Sequence, residues 1–255
     1  MTVVAVLGLG EAGSLIAADL VAAGATLRGY DPADVLTPAG VTREGSEADA
    51  ARGAALVLSV NSAKAAVGAF RAGVPGLRPD AVWADLNTAS PGTKRELAAV
   101  GAEHGITVAD IAMMAPVPGR GLRVPMLASG TGAAAFAELT RPFGMNLEVL
   151  DGPAGLAAMR KLLRSVFYKG MAASIVEALA AAREAGYEDW LREHIAEELA
   201  AADASTVDRI VTGTKRHARR RGAEMEAAAE MLTELGVDPI MATASRDLHE
   251  TIRPR

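Results

Sequence analysis

Glycines 8, 10 and 13 follow a short apolar run, Val3-Val4-Ala5-Val6-Leu7, in the stretch Gly8-Leu9-Gly10-Glu11-Ala12-Gly13. The spacing suits a tight turn between a strand and a helix. The first glycine permits the turn, the second lets a pyrophosphate approach bare main chain, and the third lets helix and strand pack closely. A helix starting at Glu11 presents its unpaired N–H groups to phosphate oxygens. The next twenty residues strengthen the pattern: Leu15, Ile16, Leu20 and Val21 recur at helical spacing, Gly24 closes the helix, and a second run ends at Asp31. An acid about 20 residues on is the partner expected for a ribose hydroxyl. The implied chemistry is dinucleotide binding by Gly8, Leu9, Gly10, Glu11, Ala12, Gly13 and Asp31; the alternative is an α/β domain whose glycines serve only the turn.

A second candidate is Lys161. It interrupts a helical segment, 154–185, that is apolar around much of its circumference, and Arg164, Ser165 and Tyr168 follow at i+3, i+4 and i+7. This narrow polar stripe is either a solvated face or one wall of a site. Its brevity favours the site, because a solvent-facing helix carries charge along its whole length. A lysine set among apolar residues has its charge disfavoured by desolvation, which suits it to moving a proton at a substrate oxygen. Tyr168 is the fallback for that role, and otherwise reads as a packed aromatic with a hydrogen-bonded tip.

The elements that must position these residues can be read in order. Strands are expected at 3–7, 25–30, 55–60, 81–86, 107–111, 125–129 and 146–150. Helices are expected at 11–23, from Ser46 with its capping-box spacing, at 63–70, from Ser90-Pro91 to about 104, and at 132–141. Alternation of this kind predicts an α/β, Rossmann-type, doubly wound parallel sheet with its ligand crevice at the carboxyl ends of the strands. Asp31, Asn61, Asn87 and Thr88 all fall on that rim. Past Asp151-Gly152-Pro153 strand-like runs stop and alanine-rich helical periodicity takes over. The expected domains are therefore 1–151, binding the dinucleotide, and 152–255, all helical and serving substrate or dimerisation. In the latter, the basic run Lys215-Arg216-His217-Ala218-Arg219-Arg220-Arg221 puts His217, Arg220, Arg221 and Glu224 on one face if it is a single helix. Three meanings stay open: a solvated face, a nucleic-acid contact, or a pocket for an anionic substrate.

Composition narrows the classes. The chain has 255 residues, half of them hydrophobic, and a formal net charge of -5, which argues against nucleic acid as a general partner. With no cysteine it has no thiolate nucleophile and no Cys-ligated metal, and its four histidines form no H-E-x-x-H pair, so no metal site is expected. No targeting segment or membrane-length apolar run is evident, which reads as a cytoplasmic protein.

Four landmarks together resemble the β-hydroxyacid dehydrogenase superfamily, which includes 6-phosphogluconate and 3-hydroxyisobutyrate dehydrogenases. They are the glycine turn, Asp85-Leu86-Asn87-Thr88-Ala89-Ser90-Pro91, Val108-Ala109-Asp110, and Gly155-Leu156-Ala157-Ala158-Met159-Arg160-Lys161. The helical half, with Lys161-Leu162-Leu163-Arg164-Ser165 and His217-Ala218-Arg219-Arg220-Arg221, is similar to a branch whose C-terminal domain has no settled function. The resemblance implies that Lys161 is the general acid/base and that Asn87 and Thr88 lie near the nicotinamide. Two departures bear on substrate. Ser165 stands where the superfamily usually has Asn four residues after the lysine, and Met114-Ala115-Pro116 stands in place of a Ser-Gly-Gly loop.

Asp31 favours NAD over NADP, since a carboxylate accepts from a 2′-hydroxyl and repels a 2′-phosphate; Arg28 and Arg43 are the cations that could turn toward such a phosphate. An anionic substrate is expected because Arg120, Arg123, Arg164 and Arg220 fall in segments that can border the cleft, with Ser165, Tyr168 and His217 beside them. The expected activity is hydride transfer between nicotinamide and a small hydroxy acid or keto acid. The alternatives are reduction of a C=N bond, as in related imine reductases, and a dinucleotide-binding sensor or interaction protein without turnover. The apolar helix after 154 predicts a homodimer.

Overall fold

A computed structural model of the chain describes residues 2–252. Its first half alternates strand and helix: β1 (Val3–Leu7), α1 (Glu11–Ala22), β2 (Thr26–Tyr30), β3 (Val41–Arg43), α2 (Glu47–Ala51), β4 (Leu56–Ser59), α3 (Ala66–Gly73), β5 (Val82–Asp85), α4 (Pro91–Glu103), β6 (Thr107–Met113), β7 (Met126–Ser129), α5 (Ala133–Thr140) and β8 (Leu147–Val149). Five helices follow: α6 (Leu156–Glu184), α7 (Glu188–Ala200), α8 (Thr206–Arg216), α9 (Ala218–Glu234) and α10 (Ile240–Thr251).

The strands form one sheet in the order β3-β2-β1-β4-β5-β6-β7-β8. β1 lies between β2 and β4, parallel to both, so the chain reverses its direction of travel across the sheet beside the glycine turn. That reversal opens the crevice in which doubly wound folds bind ligand. The sheet is not parallel throughout: β7 runs antiparallel to β6, and β8 is parallel to β7. The expectation of uniformly parallel strands came from alternation with helices, and β6 and β7 are joined by an irregular segment with one short 3-10 turn, so no crossover helix constrains their directions to agree.

Side chains alternate across the central strands and build a core on each face. Val4, Val6, Leu56, Leu58, Val82 and Ala84 pack with Ile16 and Leu20 of α1 and Phe136 of α5. Ala5, Leu7, Val57 and Trp83 pack with Phe70 of α3 and Leu97 and Val100 of α4. A sheet buried on both faces needs near-continuous apolar strands, which these supply. The caps expected from sequence are present: Ser46 Oγ accepts from Asp49 N–H at 3.1 Å, and Ser90 Oγ accepts from Thr93 N–H at 3.1 Å with Pro91 opening α4.

Two compact units divide the chain, one ending at Arg164 and one beginning at Ser165. The division falls inside α6, because the first turn of that helix packs with the sheet: Ala157 clusters with Ala112 and Leu150. In the second unit Ala181, Ala229, Leu232 and Ala242 form a small core, while α7 and α8 bury no residue. Among the described residues no helix is long and apolar enough to cross a membrane.

Candidate functional site

The turn after β1 has the geometry its glycines imply. Gly8 adopts φ +99°, and a Cβ there would lie 2.5 Å from Val60 O; a Cβ on Gly13 would lie 1.9 Å from Gly8 O. These two positions are glycine because strand, turn and helix pack backbone on backbone. Gly10 differs. It is the N-cap of α1 with ordinary backbone angles, no side chain caps the helix, and a Cβ there would meet no described atom within 4 Å. The turn therefore presents uncapped N–H groups at a helix N-terminus beside open space, which fits the diphosphate of a dinucleotide. Leu9 is buried beneath the turn, while Gly10 and Glu11 are exposed.

Asp31, at the end of β2, accepts from Leu9 N–H at 2.7 Å and from Ala33 N–H at 2.9 Å. It ties the glycine turn to the loop after β2, and a carboxylate retains further lone pairs for a ribose hydroxyl. The two arginines weighed as phosphate partners are both engaged. Arg43 donates to the carbonyls of Asp31, Ala33 and Val35 and to Thr37 Oγ1, at 2.8 to 3.2 Å. Arg28 pairs with Glu44 at 2.8 Å and donates to Arg52 O at 2.7 Å.

A second group forms at the ends of β4 and β5. Asn87 Nδ2 donates to Asn61 Oδ1 at 2.9 Å, to Ser59 Oγ at 3.1 Å and to Asp85 Oδ1 at 2.5 Å. Two hydrogens thus serve three acceptors and hold the Asn87 side chain inward. The next residue, Thr88, is exposed, and Lys161 Nζ donates to its Oγ1 at 2.8 Å. Asn61, Asn87, Thr88 and Lys161 are therefore brought together on the carboxyl rim of the sheet. Lys161 is half-buried rather than enclosed. The fully buried lysine among the described residues is Lys94, and it is held by two carboxylates.

Lys94 is 1% exposed. Its Nζ lies 2.7 Å from Asp85 Oδ2 and 3.1 Å from Asp110 Oδ1, and donates to Asp85 O at 2.7 Å. Asp110 Oδ2 accepts from Gly155 N–H at 2.9 Å, Ala158 N–H at 3.1 Å and Ser129 Oγ at 3.1 Å. Ser129 Oγ in turn accepts from Ala157 N–H at 3.0 Å. The first turn of α6 is thus capped by side chains from β6 and β7. Sequence reasoning missed this cluster, although a signal exists. Lys94 shares the buried stripe of Leu97 and Gly101, and Asp85 and Asp110 stand in strands that are otherwise apolar; charges in such places require partners.

The remaining substrate candidates lie apart from this group or in the second unit. Arg120 and Arg123 line a hollow of about 710 Å³ with Asp19, Ala22 and Ala23. Their loop is drawn to the far half of α1 because Asp19 Oδ2 accepts from Leu122 N–H at 3.0 Å. Asp19 is nine residues beyond Gly10, about 13 Å along the helix. Neither Thr88 nor Lys161 lines the hollow that holds Arg120. Arg164 is exposed, one helical turn after Lys161. In the second unit, Ser165 is half-buried and Tyr168 is 54% exposed. The single helix assumed for the basic run is broken at His217, which ends α8 and precedes α9. Arg220 pairs with Glu224 at 2.6 Å, while Arg221 turns to Thr214 at 2.5 Å. His217 and Arg220 line a shallow hollow of about 400 Å³ with Arg216 and Arg219.

Residues 3–121 match the family model for the NAD binding domain of 6-phosphogluconate dehydrogenase, and residues 182–252 match a domain of unknown function. A conserved hypothetical protein of Sinorhizobium meliloti is 32% identical, with 98% of this chain and 88% of that one covered and a TM-score of 0.64. A conserved protein of unknown function, described as structurally similar to 3-hydroxyacid dehydrogenases, is 27% identical, with 98% and 96% covered and a TM-score of 0.61. An imine reductase of Myxococcus stipitatus in complex with NADP+ shares the fold at 18% identity, with 98% and 93% covered and a TM-score of 0.80. An uncharacterised 28.5 kDa protein of Methanothermus fervidus is 26% identical over 171 residues, a match that spans 67% of this chain and 66% of that relative. With the glycine turn, Asp31 and the Thr88–Lys161 contact in place, the chain joins an NAD-binding domain of the 6-phosphogluconate dehydrogenase type to a C-terminal domain of unknown function, and its structural neighbours are 3-hydroxyacid dehydrogenase-like proteins.

Proposed function

We propose that this chain is a cytoplasmic NAD(P)-dependent oxidoreductase that interconverts a small anionic hydroxy acid and its keto acid, with Lys161 as general acid/base. One observation carries the reading: Lys161 Nζ stands 2.8 Å from Thr88 Oγ1 on the strand-end rim that also holds the glycine turn. A bound nicotinamide supplies or accepts the hydride at carbon. The chain's residues do the rest. The main chain from Gly8 to Gly13 holds the diphosphate, Asp31 takes the adenosine ribose, and Asn61, Asn87 and Thr88 line the rim toward the reacting end. Lys161 gives a proton to the substrate oxygen in reduction and removes it in oxidation.

NAD is favoured over NADP, since Asp31 is acidic and both neighbouring arginines are committed to protein oxygens. Arg164, one turn from Lys161, is the nearest candidate in sequence for a substrate carboxylate; Ser165, Tyr168, His217 and Arg220, which belong to the second unit, stay substrate candidates. The proposed assembly is a homodimer. Along α6, Leu163, Val166 and Phe167 are 65 to 76% exposed, an apolar face that a second copy of the chain would cover. Light scattering is expected to give a dimer that Leu163→Glu with Phe167→Glu converts to monomer; a monomeric wild-type chain would remove the assembly.

Imine reduction is the second reading, favoured by the fold shared with the imine reductase and by Met114-Ala115-Pro116 in the substrate loop. Incubating the protein with NADH or NADPH and parallel panels of keto acids and cyclic imines separates the readings. Turnover of keto acids supports the first, and turnover of imines alone supports the second. Tight cofactor binding with no hydride loss to either panel leaves a dinucleotide-binding sensor.

A further inference from the structure

The buried cation Lys94 has no part in the proton transfer assigned to Lys161, yet it joins the supports of both residues in the Thr88–Lys161 pair. Its ammonium holds two carboxylates. Asp85, on one side, fixes Asn87 through a 2.5 Å contact, and Asn87 immediately precedes Thr88. Asp110, on the other, accepts the N–H groups of Gly155 and Ala158 in the first turn of α6. Lys161 follows Ala158 by three residues, less than one turn. Helices α4 and α6 meet closely at this point because Gly155, at φ +101°, lacks a Cβ that would lie 2.9 Å from Pro91 O.

One cation between two carboxylates leaves a net negative charge in the interior. The positive end of the α6 dipole offsets part of it, and the N–H bonds to Asp110 saturate the oxygen that Lys94 does not reach. A buried cluster with every member engaged has one arrangement, whereas a member left alone is strongly unfavourable. The distance between the rim of β5 and the start of α6 is therefore set by a rigid ionic bridge.

We propose that Lys94 is a positioning residue: by clamping Asp85 to Asp110 it fixes where Lys161 Nζ meets Thr88, touching neither substrate nor cofactor. Its effect on turnover rests on the reading of Lys161 as general acid/base, but the placement itself can be measured without any reaction. The chain has five lysines, and Lys64, Lys161, Lys169 and Lys215 are not buried. Reductive methylation with 13C-formaldehyde gives each a resolved NMR signal, the Lys161 signal being identified by its loss in Lys161→Met. In Lys94→Met and in Asp110→Asn, the Lys161 titration midpoint is expected to move by about half a pH unit or more, while those of Lys64 and Lys215 stay in place. Asp110→Asn keeps the side-chain volume and decides the matter if Lys94→Met does not fold. A Lys161 signal that holds its wild-type shift and midpoint in a folded variant, with only the melting temperature lowered, overturns the proposal. Kinetics keep the two ideas separate. Both variants are expected to lose about 10- to 100-fold in kcat with unchanged cofactor Kd. Normal turnover of Lys161→Met would refute the acid/base reading and leave the NMR test of Lys94 intact.

Discussion

Replacing Gly10 with alanine adds one methyl group at the point where main chain and diphosphate are proposed to meet. The backbone angles at Gly10 suit alanine, and the new Cβ would meet no described atom within 4 Å, so the unliganded protein has room for it. Two small effects on stability oppose each other: alanine is a poorer N-cap than glycine, and it lowers the entropy of the unfolded chain, each by about 0.5 to 1 kcal/mol. The melting temperature of the free protein should therefore hardly change. Binding should change greatly, since the methyl group occupies the open space beside uncapped N–H groups. A charge-assisted hydrogen bond contributes about 1.5 to 3 kcal/mol, so displacing one weakens affinity roughly 10- to 150-fold. Fluorescence titration with NADH reads the loss, and calorimetry of the free protein checks that the fold is intact. Gly13→Ala is the contrasting control. Its Cβ would fall 1.9 Å from Gly8 O, backbone that cannot yield without shifting α1, so the free protein itself should lose about 1 to 3 kcal/mol. Wild-type NADH affinity in Gly10→Ala would refute the placement of the diphosphate.

Asp31→Ser removes the acceptor for Leu9 and Ala33 N–H and the negative charge at the end of β2. NADH affinity should fall about tenfold and NADPH affinity less or not at all, measured by paired titrations; equal losses would mean that Asp31 only shapes the turn. In the second unit, hydrogen bonds from Arg183 and Arg192 lower the Glu188 pKa from 4.5 to about 2. A depressed carboxylate stabilises the fold above its unfolded pKa and ceases to do so as pH falls through its folded value. The melting-temperature gap between wild type and Glu188→Gln should thus be constant down to about pH 4.5 and close as pH falls toward 2; a gap independent of pH would show that the ion pairs contribute nothing.

Much of this architecture was legible because local and tertiary signals agree. The glycine turn, the caps at Ser46 and Ser90, and the apolar strands each specify local geometry that the sheet then uses. Val41–Arg43 escaped notice because it is a three-residue edge strand with no buried residue, so neither length nor alternation marks it. The direction of β7 is decided by its connection and by the register Asp110↔Ser129, neither of which periodicity encodes. His217 breaks a run that reads as one helix, since helical residues flank it on both sides. Asp31, Asn61, Asn87, Thr88 and Lys161 stand out as candidates through their places on strand ends and a helix stripe, and the structure pairs Asn61 with Asn87 and Thr88 with Lys161. The partners of the arginines do not stand out, because a guanidinium gives no sequence clue to which of several carbonyls or carboxylates it will meet. Arg43 went to the loop after β2 and Arg220 to Glu224. Lys94 looks like an exposed lysine in Thr93-Lys94-Arg95-Glu96 and is recognised only when Asp85 and Asp110 are seen to face it.

The central claim is that Lys161 moves the proton that accompanies hydride transfer. Single-turnover oxidation of bound NADH by a substrate drawn from the keto acid and imine panels, in wild type and Lys161→Met, tests it most directly. The expected result is a hydride-transfer rate lower by about 100- to 10,000-fold in the variant, with NADH Kd within about twofold of wild type. An unchanged single-turnover rate in Lys161→Met would contradict the account.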